Sequence, residues 1–277
     1  MKTTNPVVKY YNSLESKLGY RYLAGVKHFG YYPEGQENLS KLEAQILMDE
    51  QMAKALKLNA GAHVLDAGCG EGNVAIYLAE KYGLRVSGVD LLDFNIKNAK
   101  ANAEKRHVKG LDFQIASYMD LPFSDNSFDG VYTMETLVHA PDYRQALAEL
   151  YRVLRPGGKL ALFEYSITPE AGLSKIDKSA LERIRQVNKV ASMPAFNHFE
   201  HRSFKPKLEA AGFSHVKEEE ITERMLPMLK SFYEKANGPY KIIKKFGLEN
   251  HFINTMSAVE FYENPKLWRY NTVTASK

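Results

Sequence analysis

The chain has 277 residues, 44% of them hydrophobic, with 37 basic against 33 acidic residues for a formal charge of +4 and a single cysteine. That length and apolar content suit one enlarged domain, or a core with an added lid. A charge this small, spread without a Lys/Arg block, argues against a nucleic-acid partner; Cys69 alone excludes an internal disulfide; and no apolar run reaches the roughly 20 residues needed to span a bilayer. The opening residues MKTTNPVVKYYN hold no signal-peptide core, so a cytoplasmic protein without a transmembrane segment is expected.

Residues 1–20 are spaced as a short helix carrying Tyr10 and Tyr11, followed by an aromatic segment, YRYLAGVKHFGYYPEG, from Tyr20 to Gly35. Its glycines and Pro33 break regular structure, so it reads as a loop lying over something. From Asn38 to Leu58 apolar residues recur at helical spacing, with Ser40 as the cap. Residues 1–58 are thus expected to form an N-terminal cap.

The stretch Val64 to Gly72, VLDAGCGEG, combines the end of a buried strand (Ala62 to Asp66), a carboxylate at its edge, and a tight turn on Gly68, Gly70 and Gly72. Glycines there let backbone approach a nucleotide-like ligand, since no Cβ intervenes. The G-x-G-x-G spacing is one residue tighter than the dinucleotide pattern, which favours a smaller nucleoside over a pyrophosphate and counts against a nicotinamide-dependent dehydrogenase. A helix over Gly72 to Lys81 and a strand over Arg85 to Asp90 complete a βαβ unit. Asp90 lies eighteen residues after Gly72, where a carboxylate accepts ribose hydroxyls; the plainer alternative is that it caps the next helix.

The alternation goes on with a helix at Leu92 to Arg106, strands at Leu111 to Ala116 and Phe128 to Thr133, a helix at Asp142 to Leu154, and a strand at Lys159 to Tyr165. Arg155-Pro156-Gly157-Gly158 is expected to stop that helix and turn the chain. The pattern is a doubly wound α/β core over 59–222. It includes a helical insertion near 170–203. Within and after it come helices at Leu173 to Val190 and Phe204 to Ala211, strands at Phe213 to Ile221 and Leu267 to Ala275, and between those strands a largely helical stretch too hydrophobic to be disordered, read as a lid over 223–265. Residues 266–277 then supply a final core strand.

VLDAGCGEG, VSGVD, LPFSDNSFDGVYTMETLVHAPD and LYRVLRPGGKLAL, in this order, resemble the class I S-adenosylmethionine-dependent methyltransferases. The resemblance implies a Rossmann-like seven-stranded sheet whose last strand is antiparallel, and S-adenosyl-L-methionine as cofactor. It places Asp66, Gly68 and Gly70 at the methionine moiety and Asp90 at the ribose. Ser117 stands where many members have an adenine-binding Asp, which leaves adenine to backbone groups and to packing by Leu91 and Tyr118. A narrower set, YYN, KHFGYYPEG, METLVHAPD and LFEYSIT, looks like the C-methyltransferases of sterol side chains and the tocopherol and small-molecule N- and O-methyltransferases. Carried over, Tyr11 contacts the cofactor, and His28, Phe29 and Tyr31 line the acceptor pocket.

Methyl transfer from a sulfonium is an in-line displacement that needs positioning and exclusion of water. Transfer to an alkene carbon also needs a carbocation to be stabilised and a proton removed. Glu135 and His139, four residues apart after the fourth strand, are expected to share a face of one helical turn. With His28 and Glu164 they are the candidate bases, and Glu164 and His198 are placed with the acceptor. His198 and His201 without Cys or a carboxylate pattern do not make a metal site. The expectation is a methyltransferase for a small, largely apolar acceptor, with carbon methylation of an isoprenoid or sterol-like alkene first. O- or N-methylation of a small metabolite, or a non-catalytic cofactor binder, are the alternatives, and a homo-oligomer is left open.

Overall fold

The computed structural model describes residues 5–13, 16–17 and 28–277. Strands alternate with helices. A short N-terminal helix, α1 (Pro6–Asn12), is capped by the Asn5 side chain. α2 (Lys41–Leu56) begins at Ser40, which closes a capping box with Glu43 as the sequence predicts. The core then runs β1 (His63–Ala67), α3 (Asn73–Tyr82), β2 (Arg85–Asp90), α4 (Asp93–Lys105), β3 (Leu111–Ile115), β4 (Phe128–Met134), α5 (Tyr143–Val153) and β5 (Leu154–Ile167). It is followed by α6 (Lys175–Val190), α7 (Phe204–Ala210), β6 (Ser214–Glu220), α8 (Thr222–Lys245), α9 (Ile253–Glu263) and β7 (Trp268–Ser276).

The seven strands lie in the order β3-β2-β1-β4-β5-β7-β6. β7 is antiparallel to both β5 and β6, while β1 to β5 are mutually parallel, as expected. The central parallel strands β1, β2, β4 and β5 bury both faces, whereas the edge strands β3 and β6 are largely exposed. The order reverses between β1 and β4, and ligands of open α/β sheets bind in the crevice beyond the carboxyl ends at such a reversal. Period-two alternation divides the core: in β5, Ala161 and Phe163 face the layer of α2, α3, α4, α6, α8 and α9, while Leu160 and Leu162 face α5 and α7.

One turn differs from the sequence expectation. Arg155 to Gly158 do not leave the sheet; β5 already starts at Leu154, which pairs with Phe128, and the register slips before Lys159 pairs with Gly130. The four residues form a bulge held by Gly157 N–H on the Lys277 carbonyl and Lys277 N–H on the Gly158 carbonyl. The last residue, Lys277, thus supplies the partners a free turn would lack.

Of the aromatic segment, Tyr20 to Lys27 lie outside the described residues. From His28 onward it runs against α2 and α8, with Tyr31 N–H on the Ala44 carbonyl and Tyr32 N–H on the Arg224 carbonyl, both at 2.8 Å. Gly30 permits this approach, since a Cβ there would stand 2.5 Å from the Ala44 Cβ and 2.9 Å from the Met228 methyl. Among the described residues no helix is long and apolar enough to cross a membrane.

The helices after β5 are tied by a buried carboxylate. Glu260 of α9, 2% exposed, accepts from Arg183 Nε of α6 at 2.8 Å and from the Tyr240 hydroxyl of α8 at 2.9 Å. Glu260→Ala would leave that hydroxyl and guanidinium without their acceptor. The expected cost is about 1–3 kcal/mol, a fall of roughly 3–10 °C in melting temperature for a protein of this size, read by circular dichroism.

Candidate functional site

The site is built where β1 and β4 end. β1 runs out at Ala67, and Gly68 turns the backbone with φ +101°; a Cβ there would lie 2.7 Å from the Thr136 side chain. Thr136 closes the gap by donating its hydroxyl to the Ala67 carbonyl at 2.8 Å. Gly68 and Cys69 N–H both donate to the Val89 carbonyl, which draws the turn across to β2. There Asp90 accepts Gly70 N–H at 2.9 Å on one oxygen and Leu92 N–H at 2.8 Å on the other. Asp90 therefore braces both the glycine turn and the start of α4, the second as its reading as a cap for the next helix predicts.

A cavity of about 890 Å³, its open mouth included, lies over this turn. Of the residues singled out from sequence, Asp66, Gly68, Gly70, Asp90, Leu91 and Tyr118 line it, and so do Tyr11, His28, Glu135 and His139. Ser117 is not among its walls; its hydroxyl accepts Met119 N–H at 3.1 Å and its backbone bridges to Asp120. Tyr118 instead reaches the site, with its hydroxyl on the Thr136 carbonyl at 2.8 Å. Asp66 is buried and accepts the Tyr132 hydroxyl at 2.6 Å. Burial pushes its pKa up to about 7 against that bond, and Asp90 and Asp49 add to the rise.

A second cavity of about 840 Å³ adjoins the first. Its walls are mainly apolar and come from distant parts of the sequence: Phe29, Phe196, Met225, Leu229, Ile253 and Trp268 among them. Tyr11, Glu135 and His139 line both cavities. Glu135 and His139 do not share a helical turn, as the sequence suggested. Glu135 sits at φ +58°, ahead of a 3-10 turn that begins only at Leu137.

The Glu135 carboxylate accepts three donors: Phe29 N–H at 2.8 Å, the Tyr165 hydroxyl at 2.6 Å and the Tyr270 hydroxyl at 2.9 Å. Burial nevertheless holds its pKa above the ordinary carboxylate value, outweighing these bonds. His139 Nδ1 lies 2.8 Å from the Ser192 carbonyl, which only accepts, so the proton is on Nδ1 and the Nε2 lone pair faces the Tyr11 hydroxyl at 2.8 Å. Burial drops its pKa to about 4, and the ring is neutral at physiological pH. His28 Nε2 lies 3.2 Å from Asp49. Burial opposes the imidazolium, but Asp49, the Phe29 carbonyl and Glu135 together outweigh it and the His28 pKa is raised.

The remaining sequence candidates lie elsewhere. Glu164 is buried beneath the site, where one oxygen accepts from the Thr133 hydroxyl and from Thr136 and Leu137 N–H. Tyr31 is half-buried beside α2 and lines neither cavity. His198 is exposed, its ring 5.7 Å from that of Tyr143. His201 bonds Ser166 and Thr168. Sequence reasoning did not single out Tyr132, Thr136, Tyr165 or Tyr270; Tyr165 stands in the quoted LFEY motif beside Glu164, and Tyr270 in the last strand gave no signal.

A glycine cradle that a Cβ would fill, a buried acid beside it, a second acid at the neighbouring strand end and apolar Leu91 and Tyr118 fit a ligand with an ammonium at one end and an aromatic base at the other. That donor set defines a nucleoside-cofactor enzyme of the doubly wound class. Residues 65–162 match a family model described as a methyltransferase domain. The S-adenosyl-L-methionine-dependent Diels-Alderase iccD of Talaromyces variabilis is 35% identical over 274 residues, 97% of this chain and 93% of that one. The O-methyltransferase resE of Aspergillus sclerotiorum is 31% identical over 77% of this chain and 78% of its own. Among solved structures, the [4+2]-cyclase SpnF superposes with a TM-score of 0.77 at 24% identity over 99% of this chain and 96% of that one. Geranyl diphosphate C-methyltransferase from Streptomyces coelicolor A3(2) gives 0.73 at 16% identity over 99% and 98%. The chain belongs to the S-adenosylmethionine-dependent methyltransferase family, whose cofactor is S-adenosyl-L-methionine.

A buried acid with a raised pKa makes stability fall as pH rises. Between about pH 4 and 7 folded Asp66 holds a proton that the unfolded state, with its ordinary value of 3.8, has released. Asp66→Asn removes that penalty. The variant should match the parent near pH 4 and exceed it by on the order of 2–4 kcal/mol at pH 8, in urea unfolding followed across the range. A gap independent of pH would show that Asp66 is ionised in the folded state throughout.

Proposed function

We propose that this chain transfers the S-adenosylmethionine methyl group to a small, largely apolar acceptor held in the second cavity, at an oxygen. One observation carries the reading: a carboxylate, Glu135, stands at the junction of the two cavities together with Tyr11 and His139. When bound, S-adenosylmethionine supplies an electrophilic methyl group on a sulfonium sulfur. In this reading Asp66, Gly68 and Gly70 hold its methionine end, Asp90 the ribose, and Leu91 and Tyr118 pack on the adenine, with backbone beside Ser117 replacing an acid. α1 and the stretches of α8 and α9 that carry Met225, Leu229 and Ile253 act as the lid.

The acceptor's hydroxyl faces Glu135, whose Oε2 takes a single donor from Tyr165. With its pKa raised, Glu135 is a stronger base than an ordinary carboxylate, closer to working pH as general-base catalysis requires. Neutral His139 fixes the Tyr11 hydroxyl, which orients the acceptor rather than taking its proton. Phe29, Phe196 and Trp268 exclude water from the reacting end. Relatives named O-methyltransferases favour oxygen. Carbon methylation of an isoprenoid or sterol-like alkene would use the same residues, with Glu135 removing the proton and the surrounding rings facing the cation. A diphosphate on such a molecule would find no Lys or Arg among the described walls of this cavity.

A second reading, ring closure without methyl transfer, is favoured by the match along nearly the whole chain to a relative named a Diels-Alderase. Incubation of apolar hydroxyl-bearing, alkene and polyene compounds with labelled cofactor separates the three. Oxygen transfer gives a labelled methyl ether; a labelled carbon-bound methyl moves the reading to carbon; an isomer of unchanged mass with no cofactor consumed overturns methyl transfer.

Glu135→Gln should lower kcat by about 10²–10⁴-fold while cofactor affinity by calorimetry stays near the parent's. Parent activity should fall as pH drops through the raised Glu135 pKa, and that inflection should vanish in the variant. His139, with its pKa near 4, should add no inflection between about pH 5 and 9.

A further inference from the structure

The tip of the α8/α9 hairpin, whose residues 241–252 line neither cavity, exposes four large apolar side chains: Ile242 by 63%, Phe246 by 67%, Leu248 by 41% and Phe252 by 40%. Ile242 and Phe246, four residues apart, share a face at the end of α8. Gly247 turns the backbone with φ +65°, so that Leu248 and Phe252 follow at the same end. Exposed Lys241, Lys244 and Lys245 flank these side chains, against Glu249 as the one acid between residues 241 and 252.

We propose that this tip docks on the surface of a bilayer carrying anionic lipid. Apolar side chains set among lysines are the arrangement that lies in a membrane interface: the rings and branched aliphatic groups enter the acyl boundary and the basic face meets anionic headgroups. Lysine stems run along apolar surface while their ammonium groups stay in the polar layer. An apolar groove on another protein, or a second copy of this patch, would gain from the four apolar groups but not from three lysines gathered around them, and charge complementarity therefore selects the lipid. α8 and α9 also wall the second cavity through Met225, Leu229, Ile253 and Asn254, and Leu229 lies about 20 Å along α8 from Ile242. A lipid-dissolved acceptor would thus meet the enzyme at the helices that enclose its cavity. That delivery role rests on the acceptor reading above, whereas the docking rests on surface chemistry alone.

Sedimentation with vesicles of mixed phosphatidylglycerol and phosphatidylcholine, or of phosphatidylcholine alone, reads the docking without any acceptor. The parent is expected to sediment with the mixed vesicles. Binding should weaken at least about tenfold on phosphatidylcholine alone, in high salt, in Ile242→Asp with Phe246→Asp, and in Lys244→Glu with Lys245→Glu. Melting temperature and cofactor affinity of both double variants should stay at the parent values. A parent that remains in the supernatant, or an aspartate variant that sediments equally well, overturns the proposal. So does a dimer in light scattering that dissociates on the aspartate changes, which would assign the patch to a second copy.

Discussion

The site depends on one close approach, that of the Gly68 backbone to the Thr136 side chain. β1 and β4 are neighbours at the point where the strand order reverses, and there the segments that follow the two strands come into contact. A Cβ on Gly68 would meet Thr136 at 2.7 Å. With hydrogen in its place, the threonine hydroxyl reaches the Ala67 carbonyl and locks the two strand ends. Glu135, next to the clamp, is forced into the left-handed region at φ +58°. A strained non-glycine residue of this kind persists only when its surroundings over-determine it, and here three hydrogen bonds to its carboxylate do so.

Burial of acid follows from the same crowding. Asp66, Glu135 and Glu164 all lie beneath or beside the cavities with raised pKa values, and for each the first cause is burial. Their donors differ in kind. Asp66 takes a tyrosine hydroxyl, Glu135 two tyrosine hydroxyls and a backbone N–H, and Glu164 a threonine hydroxyl and two backbone N–H groups. Glu164 touches Thr136 and so supports the clamp, and Glu135 raises its pKa further. Carboxylates kept dry at a cost in stability mark places where stability and function pull against each other.

The glycine turn, Asp90, the Ser40 cap and the strand alternation were legible because each is a local pattern whose physics is contained within a few residues. What was not legible depends on sequence-distant partners. Glu135 could be chosen as a candidate, but not its donors at positions 29, 165 and 270. The bulge at Arg155 to Gly158 looks like a turn until Lys277 pairs with it. His198 sits among residues suited to a site, yet a 3-10 turn over Pro194–His198 leaves it exposed. Glu164, in the separate LFEYSIT motif, comes close to Glu135 and His139 through the pairing of β4 with β5, and it supports the turn while those two face the cavities.

Relatives with different named activities, a Diels-Alderase and O-methyltransferases, align with this protein across the glycine turn and beyond it. A fold does not dictate a reaction, and the two cavities show why in this instance. The first is walled by the ends of the parallel strands, where β1, β2 and β4 are fixed by sheet register and the clamp. The second is walled mostly by Phe29, Phe196 and residues of α6, α8, α9 and β7, which lie outside the βαβ units, with Tyr165 of β5 as a contribution from the parallel core. Among the described residues only Tyr11, Glu135 and His139 belong to both. A change of reaction therefore needs no change in the glycine turn: it needs a different second cavity, and a different use of the three side chains at the junction.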